Sequence, residues 1–597
     1  MEFVSGVVVV DGLPRVLVTA DYPYYRDDPV VWADRLRAVR DELGIQVITS
    51  YVPWRHHQPA PDRPPAFGDV LDYLELCDSL GLTVIAKPGP FVHAELDYGG
   101  LPDWVDPASD PDIEPLLDSH GDPSRWMGRA LPAPLGSAFL GKVTQWLSAV
   151  GKELGGAVAG WQIANEGVYT SGALPLTAYD YSPSGLALFR SLLVSWYGTP
   201  ESYNRVHGSR YVSWDEVPPS GPDWGRFHAS YLATVYRTWA DALGTSLPVV
   251  VNLNPPTIAE LDDWLARVRP AGWDGITYGF TNWMGVVSAD PAAQARYVIA
   301  AKRAPGPNLE ENWGFATLYD AAYADGATSF HQTLLALAAG ATGFNVYTGV
   351  ATSTWSPSLD SMHAPPYPDR APIGLDGLPT AKALVVRALA GFFSVHGAEF
   401  LACEPACSAV FGLYAPLATE GRLGEVLLDF HARMRSLGCD YTLVDLETSP
   451  ALDGLPVVIV PPGLPEPVRA ALPPGARELD GALTLSDICQ PTVVVTRGHA
   501  DAYWRAHPSA PVAYLTVLVQ DSNTGPITVS TPLGDVELVC ARGGAAVVRL
   551  VNGYLDDVIV KGTNAHLDSF ETASITFANE RLTSTGPADL IITHAPF

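Results

Sequence analysis

Basic residues are scarce in this sequence. Its 597 residues hold 36 Lys and Arg against 65 Asp and Glu, a formal charge of −29. Nucleic-acid backbones are gripped by clustered cations, and anionic membranes by polybasic segments, so neither partner is expected. A neutral ligand suits the balance better. Cysteine is also rare: Cys77, Cys403, Cys407, Cys439, Cys489 and Cys540 are scattered with no repeated pair spacing. Cys403 and Cys407 are the one close pair, and no second pair or His cluster completes a metal site beside them. Free buried thiols in a reducing cytoplasm are expected, not a disulfide framework. The opening stretch, MEFVSGVVVVDGLPR, has no basic n-region or cleavage site, and its apolar run is too short to span a bilayer. A cytoplasmic protein is the resulting expectation.

What is present is globular. A chain of this length calls for two to four domains. The composition is 47% hydrophobic, with 16 Trp and 25 Tyr. Such aromatics suit a large core, and a few of them suit a site where flat apolar rings stack on sugar faces.

Residues 1–397 alternate strand-like and helix-like segments. Strands are expected around Val16–Thr19, Val47–Trp54, Thr83–Phe91, a fourth run ending at Asn165-Glu166, Pro248–Pro255, Gly275–Trp283, Pro307–Gly314 and Thr342–Gly349. Eight strand–helix units point to a (β/α)8 TIM barrel with insertions. Long loops at 102–134 and 356–372 follow the third and eighth strands and would stand over the barrel mouth. Residues 398–490 read as a small α/β domain, with an amphipathic helix through Leu423–Leu437 and a buried strand at Leu455–Pro462. From 491 to 597, short strand-like runs between turn signals point to a β-sandwich. The fold class is thus α/β: a TIM barrel, a small α/β domain and a β-sandwich.

The stretch AVAGWQIANEGVY (Ala157–Tyr169) organises the barrel, because a buried strand there ends by offering Glu166 to a cleft. Catalytic side chains collect at the carboxyl ends of barrel strands. Glu310, at the end of the seventh strand, would meet Glu166 across the mouth. Sugar transfer through an oxocarbenium-like transition state needs such a pair, one carboxyl protonated and one ionised. A separation of ~5 to 5.5 Å would mean retention through a covalent glycosyl-enzyme. Two carboxylates and water suffice for this chemistry, so no cofactor and no metal are implied.

With these residues in place, the chain resembles the β-galactosidases of glycoside hydrolase family 35. Tyr51-Val52-Pro53-Trp54 is similar to that family's strand-two motif. Pro88-Gly89-Pro90-Phe91, Ala94-Glu95 and Gly99-Gly100-Leu101-Pro102 resemble its strand-three signature. Gln162–Glu166, Asn345-Val346-Tyr347 and Ala371-Pro372-Ile373 match further segments in order. The resemblance implies Glu166 as acid/base and a nucleophile with glycine four and an aromatic five residues on. Gly314 and Phe315 give that spacing to Glu310, while Glu311 competes; adjacent strand residues face opposite ways, so one alone reaches the sugar. It also implies that Tyr51, Ala94, Glu95 and Asn165 line the sugar subsite; Asn165 would bond the 2-hydroxyl, and His93 and Tyr347 are expected to bind substrate beside them.

The departures concern specificity. The family's W-N-x-H-E-P motif is replaced by Trp54-Arg55-His56-His57-Gln58-Pro59, a usual His is Pro23, and Tyr and Cys after Gly-Pro are Phe91 and His93. His56-His57 is not expected to bind metal, since no third ligand is apparent. A retaining exo-acting β-galactosidase-like enzyme on small oligosaccharides is expected, an exo-β-D-glucosaminidase is the alternative, and a carbohydrate-binding pseudo-enzyme ranks below both. Residues 398–490 faintly resemble the trimerisation domain of family 42 β-galactosidases, which implies a homo-oligomer or a wall for the site, not a second enzyme.

Overall fold

The computed structural model describes residues 1–597 apart from 171, 173, 258, 284, 449, 453, 563–572, 579, 584–589 and 594–597. A three-stranded antiparallel sheet comes first: β1 (Glu2–Val4), β2 (Val7–Val10) and β3 (Leu13–Arg15). Ser5-Gly6 and Asp11-Gly12 make its turns, all four residues at positive φ, as tight turns between right-twisted strands require. Val8 buries against Leu17 and Ile85 of the barrel, so this sheet covers part of it.

The barrel strands are β4 (Leu17–Asp21), β5 (Val47–Tyr51), β6 (Thr83–Gly89), β9 (Gly160–Ile163), β10 (Val249–Val250), β11 (Phe280–Asn282), β12 (Asn308–Asn312) and β13 (Gly343–Tyr347). A short hairpin, β7 (Arg125–Trp126) and β8 (Arg129–Ala130), lies within the loop after β6. The eight strands form one parallel sheet in the order β10-β9-β6-β5-β4-β13-β12-β11. Parallel bridges Val250↔Thr277 and Leu253↔Phe280 join its two edges, closing the barrel. β12 and β13 are buried along their whole length, as expected of strands covered on both faces.

Inside, the barrel is polar where apolar layers are usual. Asn345 Nδ2 donates to Thr19 Oγ1 at 2.7 Å and Thr49 Oγ1 at 2.9 Å, while Thr49 Oγ1 lies 2.9 Å from Asp21 Oδ2. Lys87 Nζ lies 2.6 Å from the same Asp21 oxygen.

The helix Ala381–Ala402 runs past the boundary expected after residue 397. It is the one helix among the described residues long and apolar enough to cross a membrane, and half of its most apolar stretch is buried within the fold. A four-stranded parallel sheet follows, in the order Asp440–Asp445, Cys407–Leu413, Val457–Val460, Arg477–Glu478. The helix Gly424–Ser436 buries Leu427, Phe430 and Met434. Glu404–Pro405, expected in that domain, instead pairs with Ala500–Ala506 in the six-stranded antiparallel sheet of the last module. A five-stranded antiparallel sheet faces it, the two sharing a core that includes Leu515, Val517, Val529 and Ile575.

One carboxylate joins all three modules. Asp501 accepts from Arg435 at 2.6 Å and from the barrel's Gln294 at 2.8 Å, with Gln520 as a third donor.

Candidate active site

β9 ends at Ile163, and the chain then turns sharply, with Ala164 at φ 57° and Glu166 at φ 50°. Asn252, beyond β10, holds this turn. Its Oδ1 accepts from the Glu166 amide at 2.9 Å, and its Nδ2 donates to Asn165 Oδ1 at 2.8 Å. Across the barrel, Glu310 on β12 faces the cavity. The Tyr51 hydroxyl has one proton to give; it bonds Glu310 Oε1 and lies 3.1 Å from Asn165 Oδ1. Trp283 Nε1 donates to Glu310 Oε2 at 3.3 Å.

Strand alternation sends Glu311 the other way. Its Oε1 accepts from Asn282 and Gln332, both at 2.8 Å, and its Oε2 from Asn308 at 2.8 Å and Tyr297 at 2.5 Å. That carboxyl is committed to the fold.

The third side of the site is the loop after β6, where His93, Ala94 and Glu95 stand in succession at φ 54°, 47° and 49°. Left-handed backbone at non-glycine residues costs about 1–3 kcal/mol each, and such strain persists where surrounding contacts impose it. Arg26, fully buried, is the main such contact. Its guanidinium donates to the carbonyls of Ala94 (3.1 Å) and Glu95 (3.0 Å) and to Asp360 Oδ2 (2.6 Å). It also lies over the rings of Tyr367 (4.0 Å) and Trp355 (4.9 Å). Tyr367 in turn donates to Glu95 Oε2. One cation thereby ties the β6 loop to the loop after β13. Burial alone would raise the Asp360 carboxyl, but Arg26 holds it below the usual range. Arg26→Ala is expected to lower kcat/KM by about 10²-fold through misplaced loops. It should also destabilise the fold by about 1–3 kcal/mol, because Asp360 loses its guanidinium and keeps only the amides of Met362 and His363 and the His363 ring. Arg26→Lys should recover little, since an ammonium cannot reach three acceptors in a plane. Kinetics and thermal unfolding on the two variants check this.

All eight sequence-predicted residues, Tyr51, His93, Ala94, Glu95, Asn165, Glu166, Glu310 and Tyr347, line one small cavity. Sequence reasoning missed two more lining residues, Trp283 and Tyr319. Their rings stack at 4.6 Å on one side of the cavity. Trp283 could have been found, because it closes the sixth strand-like run; Tyr319 lies in a loop with no pattern to mark it. Arg26 was missed as well.

The electrostatics separate the two carboxyls. Burial pushes Glu166 well up, and the charges of Glu310 and Glu95 push it further. Burial also raises Glu310, but Lys87 and the hydrogen bonds from Tyr51 and Trp283 restrain it. Of the two, Glu166 is thus held the more strongly in its protonated form and Glu310 releases its proton first, the order that acid/base work demands. His93 Nδ1 lies 3.8 Å from Glu166 Oε2, and burial pushes its pKa down, which favours the neutral ring.

Asp69 supplies the third donor that the sequence did not reveal beside His56 and His57, so that objection to a metal falls. Another replaces it. His57 Nε2 pairs with the Tyr24 hydroxyl and Nδ1 with the Ala66 carbonyl, both at 2.7 Å, and His56 pairs with Asp69 at 2.6 Å. The cluster is satisfied without an ion.

Residues 7–113 match the family model of glycosyl hydrolases family 35. A β-1,2-glucosyltransferase of Ignavibacterium album is 28% identical over 236 residues, covering 36% of this chain and 31% of its own length. The β-galactosidase of Felis catus is 37% identical over 131 residues, covering 20% and 18%. The matched stretch thus spans less than a third of these relatives. Among solved structures, the β-galactosidase from Bacillus circulans sp. alkalophilus superposes with a TM-score of 0.63 at 13% identity, covering 98% of this chain and 99% of that one. The cold-adapted enzyme from Rahnella sp. R3 gives 0.62 at 14%, covering 97% and 98%. Likeness at that identity speaks for the fold, which is a TIM barrel with further domains. The stretch holding the first three barrel strands, with Tyr51 at the end of β5 and His93–Glu95 in the loop after β6, is thus the part of the chain that is similar to family 35 glycosyl hydrolases.

Proposed function

We propose that the chain is a retaining, exo-acting β-glycosidase that removes terminal sugars from small oligosaccharides or glycosides, with a β-galactoside as the leading substrate. The observation that carries this reading is the pair Glu166 and Glu310, brought from the ends of β9 and β12 into one small buried cavity, with Glu166 raised further than Glu310. Glu310 attacks the anomeric carbon while Glu166 gives its proton to the departing glycosidic oxygen. Glu166 then takes a proton from water, which attacks the glycosyl ester and releases Glu310. Exo action is supported by the loops after β6 and β13, which Arg26 ties together at the site. An exo-β-D-glucosaminidase would keep this mechanism and place an amine near Glu95.

A second reading is transfer to a sugar instead of water. The glucosyltransferase match, longer than that to the feline β-galactosidase, favours it, as does the Trp283–Tyr319 stack, a surface on which an acceptor ring could lie.

The deciding experiment is a panel of p-nitrophenyl β-glycosides (galactoside, glucosaminide, glucoside, fucoside and arabinoside) with and without oligosaccharide acceptors. One strong signal with free sugar as product is expected. Products longer than the substrate would favour transfer, and silence across the panel would defeat both readings.

A further inference from the structure

Beneath the cavity lies a buried charge pair that the mechanism above leaves unused. Lys87, on β6, is fully buried, and Asp21, at the end of β4, is nearly so. The ammonium sits 2.6 Å from Asp21 Oδ2, 4.2 Å from the centre of the Tyr51 ring and 5.5 Å from that of Tyr347. Asp21 is its only charged partner among the described residues. Stability does not explain such a pair, since a buried ion pair is often no better than apolar side chains of the same volume. Neither residue lines the cavity, so the pair does not touch a sugar there. Its neighbour Tyr51, however, bonds Glu310.

We propose that Lys87 and Asp21 form an electrostatic positioning pair that sets the proton affinity of Glu310 and so keeps it the nucleophile. This rests on the reading of Glu310 given above. The charged groups around Glu310 are few. Glu166 and Glu95 face it across the cavity, both of them acidic, and Asp21 lies on the β4 side. Tyr51 on β5 and Trp283 after β11 donate hydrogen bonds to it, while the phenols of Tyr319 and Tyr347 contribute no charge at neutral pH. His93 is neutral. Arg26 is spent on Asp360 and on backbone carbonyls. Lys87 is therefore the cation that offsets three surrounding carboxyls, and Asp21 limits how far it does so. The Tyr51 ring, 4.2 Å from the ammonium, carries the hydroxyl that bonds Glu310, and a unit charge acts strongly in an interior of low polarity.

The signs of the two effects are opposite. Removing the cation makes Glu310 hold its proton to higher pH. Removing Asp21 makes Glu310 release it at lower pH. The test is the acid limb of kcat/KM for full-length Lys87→Met and Asp21→Asn proteins. Lys87→Met should move that limb up, and Asp21→Asn down, each by about one pH unit. A merely structural role would lower thermal stability and kcat while leaving the limb in place, or would move both variants the same way; either result overturns the proposal. Esterification of Glu310 by a small diazo reagent, which attacks protonated carboxyl groups, gives a second readout through peptide mass spectrometry. The pH of half-labelling should shift in the same two directions. This readout needs no turnover, so a wild type inactive on every glycoside would sink the glycosidase reading while the labelling still decided the electrostatic one. If Lys87→Met does not fold, Asp21→Asn decides alone: an unmoved or raised half-labelling pH refutes the proposal.

Discussion

Glu310→Gln is expected to give a folded protein whose glycoside turnover has fallen by about 10⁴-fold or more, the scale typical of losing a covalent nucleophile. The same change one residue later should look quite different. Glu311 accepts four hydrogen bonds, and a glutamine there turns an amide NH2 toward Asn308 Nδ2, donor against donor. Leaving one buried donor unpaired costs about 1–3 kcal/mol, so Glu311→Gln should melt earlier while the surviving folded fraction still turns over. Thermal unfolding and kcat, measured side by side, separate the two. A folded, inactive Glu311→Gln beside an active Glu310→Gln would reverse the assignment of the nucleophile.

Glu166→Ala should be just as damaging, but selectively. The acid matters in proportion to how poor the leaving group is, because a good leaving group departs without a proton. An oligosaccharide or alkyl glycoside should lose about 10⁴-fold. A 2,4-dinitrophenyl glycoside should form the glycosyl-enzyme at nearly the normal rate and then stall, because no base activates water. Azide needs no base, so it should restore turnover and yield a glycosyl azide that keeps the β configuration. An α-azide would rule out the double displacement, and the absence of any rescue would argue that Glu166 is not the acid/base.

Much of the barrel was legible because strand-like runs recur between helical segments and end where chemistry begins. The fifth strand shows where that rule weakens. PVVVNLNP reads as a strand from Pro248 to Pro255, yet only Val249–Val250 pairs in a continuous ladder. The asparagines that follow are occupied elsewhere: Asn252 pins Asn165 and Glu166, and Asn254 donates to the Thr170 carbonyl. The opening hairpin sheet was missed although Asp11-Gly12 between apolar runs is a strong turn signal; the stretch had been weighed only as a leader or membrane span. For the site, motif spacing carried the eight predicted residues. It could not reveal Arg26 as a clamp, since that role depends on carbonyls and rings more than 60 residues away in the chain. Nor could it reveal the ring of donors around Glu311, which is assembled from two barrel strands and two helices.

The carboxylate of Asp501 has a further consequence. It draws a guanidinium from the α/β module, an amide from a barrel helix and another from its own sheet. Any trimmed version of the chain that omits the last module would strand Arg435 and Gln294 in an interior built for them. The barrel is therefore not a detachable cassette: evolution or an engineer exchanging modules would have to rewrite the seam on every side at once.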